Sequence, residues 1–310
     1  MELEENKEIV KEEEEKVNRN RLLELIEERI LNIFDIKSEK VCKFEIEKAG
    51  YNCSCIKLES EDFCSGQHVI FLSGGRGDLM NYNSHIKTTL QIQFTSSTLT
   101  DPETNPISVR DLKDMPIPLS FHSLIPLNQT TLYSVGGMNS TGYLNVCLKY
   151  SFSSNEWTLA PPLNQRKKQV GLCFFNNPPK LFAFGGTDKF KVFSTIETLN
   201  LQTPDAWQII PLKRKAGWSA RCGVAATQVS NNAIFIFGGT GKDESFLYDV
   251  NESKMDPFQN IGLQGQLSNR SIEILQVEGM KDVKELFVLA SDSLLSYSFR
   301  EDKWMNIKLS

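Results

Sequence analysis

The chain has 310 residues, of which 40% are hydrophobic, and its formal net charge is −5. This length allows one large domain with an extension, and the acidic balance argues against nucleic acid as a partner. No apolar run approaches about 18 residues and no apolar signal segment is visible, so we expect neither a membrane-spanning helix nor a secretory leader. Seven cysteines without disulfide-framework spacing indicate a reducing compartment, and we expect a cytoplasmic protein.

The first forty residues carry an excess of negative charge and predict a helix. Residues 1–40 contain no Gly or Pro and are dominated by Glu, Lys, Leu and Arg. An apolar stripe at helical spacing runs along the second half of this segment. Its members are Leu22, Leu23, Ile26, Ile30, Ile33 and Phe34. We expect an acidic, short coiled-coil-like extension, which either packs its last turns on the following domain or mediates docking or self-association.

A short phrase recurs through residues 41–310, which we interpret as one repeat-built domain. Each copy is a run of apolar, β-branched and aromatic residues, and four of the five copies end in Gly-Gly. Such a run is too short for a helix and favours a buried strand, while the glycines allow a tight exit. The copies lie near residues 69–75, 131–137, 181–186, 233–239 and 285–291. A period of about 50 residues is typical of a radial array of sheets.

A second strand and then an aromatic pair follow these copies. Six residues separate Tyr150 from Trp157, and six separate Tyr297 from Trp304. Turn residues lie within each interval, so the two strands are expected to form a hairpin on which the aromatic rings pack together. With a further apolar segment upstream, each repeat offers four strands, named a to d. The repeat positions are Gly74, Gly75, Gly136, Gly137, Tyr150, Trp157, Gly185, Gly186, Trp207, Gly238, Gly239, Tyr248, Tyr297 and Trp304.

These positions together resemble the kelch repeat. Residues 115–123, the Gly136-Gly137 pair, Tyr150 and Trp157 match nearly a whole kelch unit. The resemblance implies an all-β fold, a kelch-type β-propeller behind the helical extension. The five recurring strands predict five blades. The alternative is six, with residues 42–47 as an extra or closing strand, because an open ring would leave two bare sheet edges.

The chain departs from the kelch pattern in three places. Leu119 stands where the family often has Arg, and the fifth copy lacks its glycines. An insert near residues 95–109 lengthens the first copy. Inserts of this kind lie on one face of the array, so this segment is a candidate private binding loop.

The expected blade geometry sorts the loops between two faces. In an up-and-down blade the b–c and d–a loops emerge on one face, and here they are rich in Lys and Arg. The c–d turns carry acidic residues such as Asp205 and Glu252. The candidate partner-binding residues are Arg76, Arg166, Lys167, Lys168, Lys189, Lys213, Arg214, Lys215, Trp218 and Lys242. We expect the basic face to receive an acidic protein segment, with Trp218 as a candidate exposed anchor; the alternative is that these are ordinary solvated loops.

Metal and catalytic chemistry are not expected. Thiols and an imidazole cluster in the sequence at Cys42, Cys53, Cys55, Cys64 and His68, but the gaps do not match a zinc finger, and we interpret these as structural cysteines. The three histidines all lie in the first 122 residues, and no acid–base constellation converges or repeats. We therefore expect neither a metal nor a cofactor.

The sequence favours a non-catalytic protein-interaction scaffold or adaptor, and two alternatives remain open. Some kelch proteins are enzymes, so an oxidase-like or sugar-acid-epimerase-like activity is one alternative. The other is a substrate-recognition subunit of a ubiquitin ligase acting through an intermediary, because no BTB or F-box pattern is present. The resemblance implies a protein partner, with cytoskeletal and ligase-associated proteins among the precedents.

Overall fold

The structure is a computed structural model of the chain. It describes residues 22–27, 29–35, 40–58, 67–213, 216–239, 242, 244–258, 273–279, 282–290, 293–298 and 303–307. These residues form antiparallel β-sheets with one short helix, so the expected all-β fold is confirmed. Because the sheets follow one another along the chain, each is numbered here in sequence order.

The sheets comprise one of three strands and five of four strands. Sheet 1 contains β1 (Leu22–Glu27), β2 (Ile30–Asp35) and β3 (Lys40–Glu45). Sheet 2 contains β4 (Ser54–Leu58), β5 (Gln67–Ser73), β6 (Thr89–Thr95) and β7 (Ser108–Asp111), with the helix α1 (Ser96–Thr100) between β6 and β7. Sheet 3 contains β8 (Ser123–Asn128), β9 (Thr131–Val135), β12 (Cys147–Ser151) and β13 (Glu156–Ala160), and a small hairpin of β10 (Met138–Asn139) and β11 (Gly142–Tyr143) lies between β9 and β12.

Sheets 4 to 6 complete the described chain. Sheet 4 contains β14 (Gly171–Asn176), β15 (Pro179–Phe184), β16 (Ile196–Asn200) and β17 (Gln208–Ile210). Sheet 5 contains β18 (Val224–Gln228), β19 (Ala233–Gly238), β20 (Ser245–Asp249) and β21 (Lys254–Pro257). Sheet 6 contains β22 (Glu273–Gly279), β23 (Asp282–Ala290), β24 (Ser293–Ser298) and β25 (Lys303–Ile307). In each four-stranded sheet the spatial order follows the chain order, as expected for strands a to d.

The first strands of the sheets contact one another in a closed cycle. β1 contacts β4, and the contacts then pass through β8, β14, β18 and β22 back to β1. This cyclic arrangement of antiparallel sheets fits a β-propeller, in which a closed ring protects the sheet edges. Sheet 1 is not among the five blades that the repeat predicts. The extra strand that the alternative prediction placed at residues 42–47 is observed as β3.

The predicted helix is wrong over the part of residues 1–40 that the structure describes. β1 and β2 form a hairpin that pairs Ile26 with Leu31 and Leu23 with Phe34. Leu31 and Ile33 are fully buried, whereas Ile30 is exposed. This alternation with a period of two residues is typical of a strand. Packing against neighbouring sheets therefore outweighs the helix propensity of this segment. Residues 1–21, where the rest of the predicted coiled-coil-like extension falls, lie outside the described residues.

The Gly-Gly pairs allow the second strand of a sheet to pass close to the next sheet. Gly136 has φ +67°, and a Cβ there would lie 2.5 Å from the carbonyl oxygen of Lys167. Gly185 has φ +61°, and a Cβ would lie 2.1 Å from the carbonyl oxygen of Arg221. Only glycine satisfies both the left-handed φ and the short backbone approach, which explains why the phrase recurs.

The aromatic pairs lie opposite each other on strands c and d, as the spacing predicts. Tyr150 is the pairing partner of Trp157, and their ring centroids are 4.9 Å apart. Tyr297 likewise pairs with Trp304. Trp157 also donates its indole N–H to the carbonyl oxygen of Lys113 at 3.0 Å. Because Lys113 precedes sheet 3, this indole ties the outer strand to the adjoining loop as well as to the core.

The insert near residues 95–109 packs on sheet 1. Leu99 of α1 and Ile107 contact the hydrophobic core that includes Leu31 and Ile33. The thiol of Cys42 donates to the carbonyl oxygen of Leu99 at 3.3 Å. These contacts bury part of a segment that the sequence marked as a private binding loop, so those side chains have a structural role.

Candidate functional site

One face of the molecule is built from the b–c loops and the d–a loops, which hydrogen-bond to each other between neighbouring sheets. The loop face is defined here by the described residues of 46–53, 74–88, 112–122, 136–146, 161–170, 185–195, 211–223 and 239–244. Gly137 N–H donates to Lys167 O at 2.9 Å, and Gly186 N–H donates to Arg221 O at 3.0 Å. The loops therefore form one connected surface rather than separate arms.

A run of backbone hydrogen bonds crosses the loop face close to the first strands. Phe121 N–H donates to Asn52 O at 3.1 Å, Gln169 N–H to Phe121 O at 3.0 Å, and Gly223 N–H to Gln169 O at 2.8 Å. All four residues have positive φ between 53° and 65°. Each lies just before an innermost strand, so the run follows the inner rim of the ring and brings residues of successive sheets side by side.

The charges of the two faces differ in sign. In the described a–b and c–d loops of sheets 2 to 5, the charged residues are Asp101, Glu103, Asp205 and Glu252, all acidic. The described loop face carries acidic side chains too, but its cations outnumber them. Its basic residues are Lys48, Arg76, Lys87, Lys113, Arg166, Lys167, Lys168, Lys189, Lys191, Lys213, Arg221 and Lys242.

The b–c loops expose large apolar side chains beside these cations. Met80 and Phe190 are 86% and 87% exposed, and Tyr82 is 73% exposed. Lys189 Nζ lies 5.8 Å from the ring centroid of Phe190, and Lys191 Nζ lies 5.0 Å from that of Phe193. Exposed aromatic and Met side chains are enriched at protein–protein interfaces.

Two of the basic residues are buried and paired within the protein. Lys167 Nζ lies 2.8 Å from Glu197 Oε1, and neither side chain is exposed. Burial lowers the pKa of Lys167, and the Glu197 carboxylate opposes that shift. Arg221 is also buried, donates from Nη1 to Gly238 O at 3.1 Å, and stacks on Trp218. The expectation that Lys167 meets a partner directly is therefore wrong in this structure.

Trp218 is buried, which corrects its assignment as an exposed anchor. Its indole N–H donates to Ser194 O at 2.9 Å, and its ring lies edge-on to Phe246 with centroids 5.4 Å apart. The Arg221 guanidinium lies 4.6 Å from the Trp218 ring centroid. Trp218 thus holds the d–a loop against sheet 5 and does not project from it.

The remaining candidate cations occupy different places on the loop face. Arg166 and Lys189 are exposed. Lys168 Nζ lies 4.1 Å from the Phe121 ring centroid, and Lys242 Nζ donates to Ser219 Oγ at 2.5 Å. Lys213 is exposed, but its N–H donates to Ser253 O in the next c–d turn, which places it at the outer rim. The candidates Arg214 and Lys215 lie outside the described residues.

Arg76 is the most unusual of the candidates, because its side chain is only 3% exposed. Its backbone bridges to both Tyr51 and His85. Its guanidinium lies 4.7 Å from the Tyr82 ring centroid and 6.0 Å from that of Phe121. The sequence did not point to Tyr82, His85 or Phe121, because their contacts with Arg76 depend on how the loop of residues 74–88 folds and meets the loop of residues 112–122.

His85 and His122 lie on or near the loop face, and the pKa of each imidazole is lowered. His85 Nδ1 lies 2.9 Å from Ser120 Oγ, and burial together with the Arg76 charge lowers its pKa. His122 Nε2 lies 2.9 Å from Ser73 Oγ, and burial lowers its pKa to about 3. Both imidazoles are therefore neutral at pH 7.

None of the cysteines in the described part of the chain is in a disulfide. Burial raises the pKa of Cys53 and of Cys147 to about 12, so neither is a ready thiolate. Within the described ranges, no group of three or more His, Cys, Asp or Glu side chains is placed to hold a metal ion. Cys64, a member of the cluster noted in the sequence, lies outside those ranges.

Comparison with known proteins adds one family match. A family model for the Kelch motif matches residues 128–164, which span the end of β8 to the start of the loop after β13. No curated protein matches the chain in sequence. Among the helical residues that the structure describes, none forms a segment long and apolar enough to cross a membrane.

Proposed function

We propose that this chain, in which residues 128–164 match the Kelch motif, is a non-catalytic protein-interaction scaffold or adaptor whose partner docks on the loop face. A Kelch motif in an antiparallel all-β fold indicates a protein-interaction propeller. We further infer that the ring has six blades, sheet 1 being the sixth, and that the protein works in the cytoplasm.

The observation that carries this proposal is the exposure of Met80, Tyr82 and Phe190 on the b–c loops. Met80 and Tyr82 lie on the b–c loop of sheet 2 and Phe190 on that of sheet 4, so the exposed apolar side chains share the loop face. Aromatic residues of this kind supply most of the binding energy of a protein interface when a partner desolvates them.

The charge of the loop face supports an acidic segment as the partner's docking element. Arg166, Lys189 and Lys191 are exposed on the same loop face, and Lys189 lies beside Phe190. Complementary charge accelerates encounter and selects among partners, whereas the apolar contacts supply most of the affinity. A cytoskeletal or ligase-associated protein with an acidic stretch has the required chemistry.

Affinity purification of the full chain with mass spectrometry identifies candidate partners, and binding to each purified candidate is then measured by calorimetry. Phe190→Ala and Tyr82→Ala are expected to weaken binding at least about tenfold each, as interface anchors do. Leu159→Ala is the matched control, because Leu159 is 78% exposed but lies on the outer strand β13.

The Leu159→Ala control distinguishes binding at the loop face from nonspecific binding through any exposed apolar side chain. Unchanged affinity for Leu159→Ala together with losses for the two loop variants supports the proposal. Equal effects of all three substitutions, or no effect of Phe190→Ala and Tyr82→Ala, would exclude the loop face as the docking surface.

A further inference from the structure

Three basic side chains of the described chain are almost completely buried, and they are not equivalent. Lys167 is paired with Glu197, and Arg221 bonds Gly238 O at 3.1 Å and Ser219 O at 3.3 Å, with Glu244 Oε2 3.6 Å from its Nη2. Arg76 Nε and Nη1 are buried without a hydrogen-bond partner among the described residues. A buried guanidinium normally has hydrogen-bonding partners, because desolvating an unpaired charge is costly.

We propose that Arg76, with Asn52 and His85, forms a subsite that binds one carboxylate side chain of the protein partner. This inference rests on the proposed docking function and names the chemistry of one position within it. It also shifts the main anionic contact from the exposed lysines of the loops to a buried arginine near the inner rim.

The polar atoms without partners around Arg76 can all act as donors. Asn52 Nδ2 and His85 Nε2 are buried and, like Arg76 Nε and Nη1, have no well-formed hydrogen bond to the described residues, although the Tyr82 backbone interacts with the His85 ring. In the tautomer in which His85 Nδ1 accepts from the Ser120 hydroxyl, 2.9 Å away, Nε2 carries the proton. Unpartnered N–H groups from three side chains match an oxyanion rather than a cation.

The backbone holds these three residues in one place. Arg76 bridges to His85 on one side and to Tyr51 on the other, and Tyr51 adjoins Asn52. Asn52 O accepts the N–H of Phe121, whose ring faces the guanidinium at 6.0 Å. Because the donors are attached to paired backbone segments, they do not have to be ordered when a ligand binds.

Tyr82 is the side chain through which a ligand would gain access. Its ring lies 4.7 Å from the guanidinium, yet the residue is 73% exposed on a surface loop. Rotation of this one side chain would uncover Arg76 at small cost. The cation–π contact with Tyr82 is weaker than a charge-assisted hydrogen bond, so a carboxylate would displace the ring.

The charge balance favours a carboxylate over a phosphate. Arg76 is the one almost completely buried cation of this cluster that makes no hydrogen bond among the described residues, and it matches a monoanion. The nearby Arg29 guanidinium already donates to Gly77 O at 2.7 Å and lies 4.5 Å from the Tyr51 ring centroid. The neighbouring cation Lys168 already contacts the rings of Phe121 and Tyr143 and the Met138 sulfur at 3.7 Å. A phosphate dianion would leave about one charge uncompensated in a partly buried site.

Side-chain NMR of the full chain tests the subsite directly, with sodium acetate and sodium phosphate as separate probes against sodium chloride at constant ionic strength. The Arg76 Nε–H resonance, assigned by its loss in Arg76→Lys, is expected to shift saturably with acetate. The Arg221 Nε–H resonance serves as the internal control and should stay in place, because Ser219 O already accepts from it. No saturable shift with acetate, or a shift with phosphate alone, overturns the carboxylate assignment.

A coupling measurement then connects the subsite to the partner. Arg76→Met should weaken binding of the partner's acidic segment at least tenfold, and should have no effect on a segment whose contacting Glu or Asp is replaced by Gln or Asn. Arg76→Lys provides a second variant that keeps the charge. If Phe190→Ala abolishes binding while Arg76→Met leaves it unchanged, the subsite is wrong and the docking face stands. If neither variant alters binding, the docking face fails.

Discussion

Lys167 and Glu197 form a fully buried ion pair that links the loop before sheet 4 to the strand β16 of that sheet, with Nζ and Oε1 2.8 Å apart. Glu197 Oε2 also accepts from the backbone N–H and side-chain amide of Asn164 at 2.7 and 2.9 Å. All charges in this network are compensated inside the protein. The pair is therefore a structural feature beneath the loop face, and its removal should affect stability first.

Lys167→Met should destabilise the protein by about 3–5 kcal/mol, because it leaves the Glu197 carboxylate buried without its counterion. Lys167→Met combined with Glu197→Gln should be clearly more stable than the single variant, since the amide is neutral and its oxygen still accepts from Asn164. Urea unfolding of both variants measures the difference. A double variant as unstable as the sum of the two single variants would contradict the pairing.

His122 should make the protein less stable as the pH falls. Its folded-state pKa is about 3 against an ordinary 6.5, so the unfolded state binds a proton below pH 6.5 that the folded state refuses until about pH 3. The stability contributed by the neutral imidazole is fully present above pH 6.5, and by pH 5 about 2 kcal/mol of it is lost.

The His122→Gln variant isolates this contribution from the carboxylates that titrate in the same range. Between pH 7.5 and pH 5 the unfolding free energy of the wild type should fall by about 2 kcal/mol more than that of the variant. Parallel pH profiles for the two proteins would show that His122 is protonated in the folded state at pH 5.

Gly185 and Gly142 form a matched pair for testing the strand exit. Both have positive φ, but a Cβ on Gly185 would lie 2.1 Å from Arg221 O, whereas a Cβ on Gly142 meets nothing within 4 Å. Gly142→Ala should therefore cost about 1–2 kcal/mol from backbone strain alone. Gly185→Ala should cost more than this by at least about 2 kcal/mol, since a backbone segment must move. Equal losses in thermal unfolding would argue against the close approach.

Arg221 and Arg76 should respond in opposite ways to replacement by Met. Arg221→Met removes bonds to Gly238 O and Ser219 O, so a loss of about 2–3 kcal/mol is expected. Arg76→Met removes a buried charge that makes no hydrogen bond to the described residues and keeps an apolar stem against Tyr82 and Phe121, so stability should be unchanged or higher. Calorimetric melting of the two variants measures this difference. If Arg76→Met destabilises the protein as much as Arg221→Met does, the Arg76 guanidinium is hydrogen-bonded within the protein.

The strands that carry the glycine phrase were predictable because their signals are local. An apolar run followed by two glycines depends on a handful of adjacent residues, and the structure has strands β5, β9, β15 and β19 at these places. The fifth copy, without glycines, forms β23. The c–d hairpin was equally accessible, because Tyr150 and Trp157 are separated by a single turn.

Sheet 1 was not predictable in the same way. Its first hairpin turns at Arg29, which has φ +73° without being glycine, so the phrase that marks the other sheets is missing. The apolar residues of 22–34 also fit a helical stripe, and Glu and Lys raise the helix propensity of the surrounding sequence. Only burial of Leu31 and Ile33 against sheet 2 selects the strand.

By itself the sequence determined the repeat, the position of its second strands and the glycine exits, because each of these depends on periodicity over a few neighbouring residues. The tertiary structure alone decided that the described strands of residues 22–45 complete the cycle of sheet contacts, and that Lys167, Arg221 and Trp218 are buried. It also decided that Arg76 is buried without a hydrogen bond to the described residues. Those outcomes depend on loops of different sheets meeting across the ring. A cation faces water or a carboxylate according to the neighbour that the fold places beside it. That neighbour is distant in the sequence, so local sequence patterns do not identify it.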